Sequence, residues 1–96
     1  PEFRRAWAEV KRHNKERLTA HLARVAGVEA DPASLFDIQV KRIHEYKRQH
    51  LNVLYVIHRY LQLRQNLQPE APPRTVVFGG KAAPGYFQAK LIIRLI

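Results

Sequence analysis

The sequence predicts an α/β fold in the order helix, strand, helix, strand, helix, with the two strands parallel. Three observations support this prediction. Apolar residues recur at helical spacing over residues 1–26, short apolar runs occupy 35–40 and 74–78, and a Pro-rich break covers 68–73. Two strands alone do not make a stable sheet of this type, so we expect the chain to be a segment of a larger domain.

The composition is that of a folded and strongly basic chain. Hydrophobic residues make up 46%, which favours a buried core, and the formal net charge of +9 predicts attraction to anions. The chain has no Cys, which excludes disulfides and thiolate metal sites and fits a reducing compartment. No apolar run reaches the roughly 20 residues that span a bilayer, and no secretory signal is visible, so we expect no membrane association.

The first helix is predicted over residues 1–26. Pro1 suits a helix start and Gly27 suits a stop. The opposite face is rich in Lys and Arg. The predicted buried stripe consists of Phe3, Trp7, Val10, Leu18, Leu22 and Val25.

After a turn at Asp31-Pro32, a short strand is predicted over 35–40 and a second helix from about 43 to about 67. Residues 74–78 are β-branched and apolar, which is typical of a parallel strand buried on both faces. A Gly-rich turn follows, and Phe87 begins a third helix. The core side of the second helix is predicted to hold Ile43, Tyr46, His50, Leu54, Ile57 and Leu61.

The first candidate site is the junction between the first strand and the second helix, where Lys41, Arg42, Lys47 and Arg48 fall within a few residues. In open α/β sheets, ligands bind beyond the carboxyl ends of the strands. Unsatisfied backbone N–H groups at a helix start also attract anions. The pattern therefore favours a phosphate site, and the alternative is a solvated basic face.

The second candidate site is the Gly-rich turn over residues 79–86. Consecutive glycines permit positive φ and a close approach of the backbone to a ligand or to another segment. The run matches neither the dinucleotide fingerprint nor the Walker spacing. A tight strand-to-helix turn with no ligand remains the alternative.

Histidines and tyrosines near these sites are ambiguous on the residues alone. His44 fits a structural hydrogen-bonding role or a role in a site, and Tyr46 fits the core or a hydroxyl directed into a cleft. The other histidines lack carboxylate or thiolate partners at ligand spacing, so no metal site is predicted.

Two blocks of the chain closely resemble the α-glucan phosphorylases, the family of glycogen, starch and maltodextrin phosphorylases. Residues 34–49 read SLFDIQVKRIHEYKRQ, and residues 73–86 read PRTVVFGGKAAPGY. The segments between and before these blocks are also similar, so the resemblance covers nearly the whole chain. It implies that residues 1–96 are a partial segment of the C-terminal, cofactor- and phosphate-binding domain, which is Rossmann-like and faces a second such domain across a cleft.

The resemblance also implies an activity for the whole protein. Such enzymes carry pyridoxal phosphate and cleave terminal α-1,4-linked glucose from a glucan with inorganic phosphate, giving glucose 1-phosphate. They are expected to be cytoplasmic homodimers. The lysine that carries the cofactor covalently belongs to a later motif that this chain does not contain, so the segment alone is expected to be inactive.

Residue roles follow from the same resemblance. Lys41 is expected to hold the cofactor phosphate, and Arg42 and Lys47 the substrate phosphate. Tyr46 is expected to bind the glucosyl unit, with His44 in an adjacent polar network. Ala83, Gly85 and Tyr86 are expected at the cleft mouth. Two adjacent phosphates repel each other unless cations neutralise them, which agrees with these assignments.

A function from a different class is also compatible with the composition. A free-standing basic module that binds nucleic acid or another polyanion would account for the charge of +9. The chain lacks a base-reading or stacking motif, which counts against specific nucleic-acid binding.

Overall fold

A computed structural model of the chain describes residues 1–67 and 70–96. It confirms the predicted order of helices and strands, and the predicted break at 68–73 lies partly outside the described residues. The elements are α1 Glu2–Ala26, β1 Leu35–Val40, α2 Gln49–Arg64, β2 Arg74–Gly79 and α3 Phe87–Leu95, with a 3₁₀ turn Glu45–Lys47 before α2.

The two strands pair in parallel, as predicted. The Lys41 N–H donates to the Gly79 carbonyl at 3.0 Å, and the Ile43 N–H donates to the Lys81 carbonyl at 3.0 Å. Donor and acceptor advance together along the chain, which is the pattern of a parallel ladder. The prediction of burial on both faces is wrong for β2 in this chain, because its residues from Thr75 onward are half-buried.

The chain divides into two compact units, Pro1–Leu35 with Pro73–Thr75 and Phe36–Pro72 with Val76–Ile96. In the first unit, the predicted Asp31-Pro32 turn is held by side chains. The Asp31 carboxylate accepts from the Ala33 N–H at 2.8 Å, and the Ser34 hydroxyl lies 2.6 Å from that of Thr75. Lys15 Nζ on α1 donates to the Ser34 carbonyl at 2.7 Å.

The helix α1 ends where the sequence indicates, because Gly27 takes the left-handed conformation (φ 64°) and its N–H donates to the Ala23 carbonyl. Its predicted apolar stripe is not a core in this chain. No α1 residue is buried, and Phe3 and Trp7 are 80% and 59% exposed. Val10 and Val25 are exposed as well, whereas Leu18 and Leu22 are half-buried.

The second unit contains a small apolar core, with Ile43 before α2 and Ala89 and Ile92 on α3 all buried. Ala82 and Tyr86 pack against this cluster. The core draws on α3 and on the loop after β1, so it fixes the geometry of the two segments singled out as candidate sites.

The prediction for the second helix is wrong at its start. The helix begins at Gln49 instead of near Ile43, because His44 is extended and Arg48 is left-handed (φ 55°), which interrupts any helix through this segment. The predicted core side is correct at Ile43, which is buried, and wrong for the rest: Tyr46, Leu54, Ile57 and Leu61 are exposed and His50 is half-buried. Gln49 and Val53 are the buried residues of α2. Among the described residues, no helix is long and apolar enough to cross a membrane.

Candidate functional site

The candidate site is the loop of residues 41–48, which joins β1 to α2 and which we call the cation loop. After an extended His44, the chain makes the single 3₁₀ turn Glu45–Lys47. The His44 Nδ1 accepts from the Tyr46 N–H at 3.3 Å and so caps this turn. The predicted cations therefore lie on an irregular loop, and the expectation that they occupy the first turns of an α-helix is wrong.

Two of the predicted phosphate-binding residues have free side chains. Lys41 and Arg42 are exposed, and within residues 1–67 and 70–96 neither side chain has a hydrogen bond or an ion pair. Lys47 is half-buried, and its Nζ lies 5.5 Å from the centre of the Tyr46 ring. Cations without carboxylate partners keep their full charge for an external anion.

The tyrosine of the cation loop is not a core residue. Tyr46 is 70% exposed, and its ring contacts that of His44, with 4.1 Å between the ring centres. The imidazole of His44 also meets the Tyr86 ring edge-on, with 5.0 Å between centres. His44 thus lies between two tyrosines in an aromatic cluster, which sequence reasoning did not anticipate.

The cation loop is supported from within by amide side chains. Gln49 is 1% exposed, its Nε2 donates to the Arg42 carbonyl at 3.1 Å, and its Oε1 accepts from the His44 N–H at 3.5 Å. The Gln39 Nε2 donates to the Lys47 carbonyl at 3.3 Å, and its Oε1 accepts from Asn52 Nδ2 at 2.9 Å. We name Gln39, Gln49 and Asn52 the amide cradle.

The Gly-rich turn contacts the cation loop closely. A Cβ on Gly80 would lie 2.1 Å from the Lys41 carbonyl oxygen and 3.1 Å from Ile43 Cδ1, so only glycine fits. The predicted close approach is therefore to another segment of the chain. The ability of glycine to adopt a positive φ is not used at this position, because neither Gly79 nor Gly80 has a positive φ.

At the other end of this turn, Tyr86 is bonded to the cation loop. Its hydroxyl donates to the Glu45 carboxylate and accepts from the Glu45 N–H at 3.3 Å. The hydrogen bond to the carboxylate, followed by desolvation, raises the pKa of the Tyr86 phenol above its ordinary value. Of the other predicted cleft-mouth residues, Ala83 and Gly85 are exposed, and a Cβ on Gly85 would meet no atom within 4 Å.

The structure thus brings the cation loop and the end of the Gly-rich turn together through Glu45 and Tyr86. Sequence reasoning missed the roles of Gln49, Gln39 and Glu45, because a polar residue carries no periodic signal that it is buried or bonded. No group of metal-binding side chains occurs among the described residues.

The similarity of the chain to known proteins decides its family. A family model described as carbohydrate phosphorylase matches residues 1–96. The chain belongs to the carbohydrate phosphorylase family. Among relatives, it is 57% identical over 94 residues to a glycogen phosphorylase of Synechocystis sp.. It is 55% identical over 94 residues to the muscle form of glycogen phosphorylase of Homo sapiens, and 50% identical over 99 residues to a cytosolic alpha-glucan phosphorylase of Arabidopsis thaliana.

These matches cover 98%, 98% and 99% of the chain, but only 11%, 11% and 12% of the three phosphorylases. The chain thus corresponds to a segment of an α-glucan phosphorylase, as the resemblance predicted. The comparisons give no support to the alternative of a free-standing polyanion-binding module.

Proposed function

We propose that this chain is the phosphate-binding segment of a cytoplasmic α-glucan phosphorylase, within its C-terminal, Rossmann-like domain. The whole enzyme would transfer terminal α-1,4-linked glucosyl units to inorganic phosphate and release glucose 1-phosphate. The proposal is based mainly on the cation loop, where the side chains of Lys41 and Arg42 are exposed and have no partner among the described residues. The name of the cytosolic relative from Arabidopsis supports the location.

In this proposal, Arg42 and Lys47 bind the substrate phosphate. The planar guanidinium of Arg42 suits a bidentate grip on phosphate oxygens, whereas the ammonium of Lys47 acts as a point charge. The proposed substrate phosphate must be held beside the phosphate of the cofactor. Because like charges repel strongly at short range, local cations are needed before the two anions can approach each other.

Lys41 would hold the phosphate group of pyridoxal phosphate. The residue fits this role because its ammonium is exposed and is not neutralised by any carboxylate of the described residues. When bound, the cofactor supplies through its phosphate group the proton donor for phosphorolysis. A covalent link to the cofactor requires a lysine outside this chain, so we expect the chain alone to be inactive.

Tyr46 and His44 would contribute to sugar recognition. The exposed Tyr46 ring leaves its hydroxyl free to bond a sugar hydroxyl, which discriminates against analogues that lack this group. His44 orients Tyr46 through the ring contact and through the bond from the Tyr46 N–H to its Nδ1. This bond requires Nδ1 to be the unprotonated ring nitrogen.

The mouth of a cleft completed by other parts of the enzyme would be lined by Ala83, Gly85 and Tyr86. We also propose that the whole enzyme is a homodimer. The exposure of Ala83 and Gly85 and the aromatic contact between Tyr86 and His44 support a location beside the sugar-binding residues.

Replacement of Arg42 in the full-length enzyme tests the proposal. Arg42→Ala should raise KM for phosphate while KM for glucan changes little, since one charge-assisted contact is lost. The expected cost is about 1.5–3 kcal/mol in kcat/KM for phosphate. Arg17→Ala removes an exposed arginine of α1 and serves as the matched control. An unchanged phosphate dependence for Arg42→Ala, with impaired use of glucan, would refute the assignment.

A further inference from the structure

We propose that Gln49 and Gln39 are positioning residues for phosphate binding, which shape the cation loop through neutral amides and so add no further carboxylate next to its cations. The inference rests on the proposed function and adds residues to which that function assigns no role. It follows from three features of the amide cradle, namely its burial, its bonding pattern and its lack of charge.

Gln49 is a buried polar residue of α2, whereas the other buried residue of this helix, Val53, is apolar. The Gln49 side chain is 1% exposed at the first residue of the helix, where a polar side chain could readily have faced water. A buried amide costs free energy unless its donors and acceptors are paired. Gln49 is paired on both sides, with the Arg42 carbonyl and the His44 N–H. The burial is therefore compensated by bonds that fix the backbone on either side of Ile43.

Gln39 holds the other end of the cation loop. It lies on β1, and its amide bonds the Lys47 carbonyl on one side and the Asn52 amide on α2 on the other. The backbone at Arg42, His44 and Lys47 is thus attached to β1 and α2 by side chains. Because the loop contains only the single 3₁₀ turn Glu45–Lys47 and no α-helix, the amides bond backbone groups that an α-helix would have paired.

The choice of amides has an electrostatic consequence. A carboxylate could accept the same N–H groups, but it would add a negative charge next to the backbone of Arg42 and Lys47, which the two glutamines contact. Such a charge would weaken the attraction of the loop's cations for phosphate. An amide both donates and accepts without a net charge. The cradle therefore orders the loop and leaves its positive charge available.

The test uses the full-length enzyme and separates shape from charge. Gln49→Met keeps the approximate volume and removes both hydrogen bonds, whereas Gln49→Glu can still accept from the His44 N–H but adds a charge. Gln65→Glu, at an exposed position after α2, introduces the same charge away from the loop and serves as the control. Initial rates with phosphate and glucan varied separately give the two KM values, and thermal melts report folding.

We expect Gln49→Met to raise KM for phosphate about tenfold, with KM for glucan within about twofold of the parent value. Gln49→Glu should raise KM for phosphate further, although it keeps one bond, and the control should leave both values unchanged. An equal rise in both KM values would overturn the positioning role. Equal effects of Met and Glu would overturn the role of charge.

Gln39→Glu gives an independent answer if the buried Gln49 variants do not fold. This half-buried position keeps its bond from Asn52 in the variant, so the fold should persist and KM for phosphate alone should rise. An unchanged KM for phosphate would overturn the proposal. This test is separate from that of Arg42→Ala. If the Gln39 and Gln49 variants keep the parent KM for phosphate, the positioning role fails, but the proposed binding of phosphate by Arg42 still stands.

Discussion

The helix α1 and the cation loop use their side chains in opposite ways. In α1, regular backbone bonds form the structure, and Phe3 and Trp7 of its apolar stripe are exposed. In the cation loop, backbone regularity is nearly absent, and the conformation depends on Gln49, Gly80 and Tyr86. A helix can be specified by its own residues, whereas an irregular loop must be specified by residues elsewhere in the chain.

This difference has a consequence for tolerance to mutation. A helix made by local bonds loses little when one exposed side chain changes, whatever its chemistry. A loop held by a few specific contacts loses its shape when any of them is removed. Single substitutions should therefore cost more in the cation loop than in α1.

The largest effect is expected for Gly80→Ala, because the new Cβ would meet the Lys41 carbonyl oxygen at 2.1 Å, and a backbone atom cannot move aside cheaply. We expect local opening of the cation loop to become easier by about 3 kcal/mol. Hydrogen exchange measured by mass spectrometry on the full-length enzyme should show faster exchange in peptides that cover residues 39–48.

Gly85→Ala is the matched control for this variant. It lies on the same turn, but its Cβ would meet nothing within 4 Å, so exchange in the cation loop should not change. Equal exchange in the two variants would contradict the claim that the contact with Gly80 shapes the loop.

An intermediate effect is expected for Tyr86→Phe, which removes both bonds between the Gly-rich turn and Glu45. The same pair gives a pH signature. The pKa of Tyr86 is raised in the folded state. The hydrogen bond from its hydroxyl to the Glu45 carboxylate therefore contributes its full stability below the ordinary tyrosine pKa of about 10. The contribution is lost as pH rises through the raised pKa.

Ultraviolet difference titration of the parent enzyme against Tyr86→Phe isolates the ionisation of this phenol. The difference signal should titrate above the ordinary range, and Glu45→Gln should shift it to lower pH by removing the carboxylate. If the difference signal titrates at the same pH in the presence of Glu45→Gln, the hydrogen bond to Glu45 is not the cause of the raised pKa.

The smallest effect is expected for Trp7→Gln on α1. Since Trp7 is 59% exposed, its replacement in the 96-residue chain should change the stability of the helix by less than about 0.5 kcal/mol. Unfolding followed by circular dichroism measures this change. Trp7 is the only tryptophan in the chain, so its fluorescence should show the emission and the quenching of a water-exposed indole. Shielded emission or a large loss of stability would show that α1 has a packed apolar face.

Several elements could be predicted from local sequence because their signals are local. The strand β1 has the predicted bounds, and α1 and α3 begin and end within a residue of expectation where bounds were predicted. The stop of α1 at Gly27 follows from the ease with which glycine becomes left-handed. The motif of residues 34–49 and its family could also be recognised directly.

The start of α2 and the support of the cation loop could not be predicted in this way. The segment after Lys41 has apolar residues at helical spacing, and nothing local indicates that His44 is extended or that Arg48 is left-handed. Likewise, Gln49 has no feature that distinguishes it from the exposed Gln65. Their conformations depend on contacts with residues that are distant in sequence, such as the Tyr86 hydroxyl.

Composition, periodicity and motif were sufficient to predict the family, the order of the helices and strands, and a cluster of cations after β1. Tertiary structure alone decided that the cations lie on a loop, that neutral amides hold this loop, and that Gly80 and Tyr86 contact it. The physical reason is that irregular backbone has no repeating bond pattern, so its polar groups take whichever partners the fold brings near them.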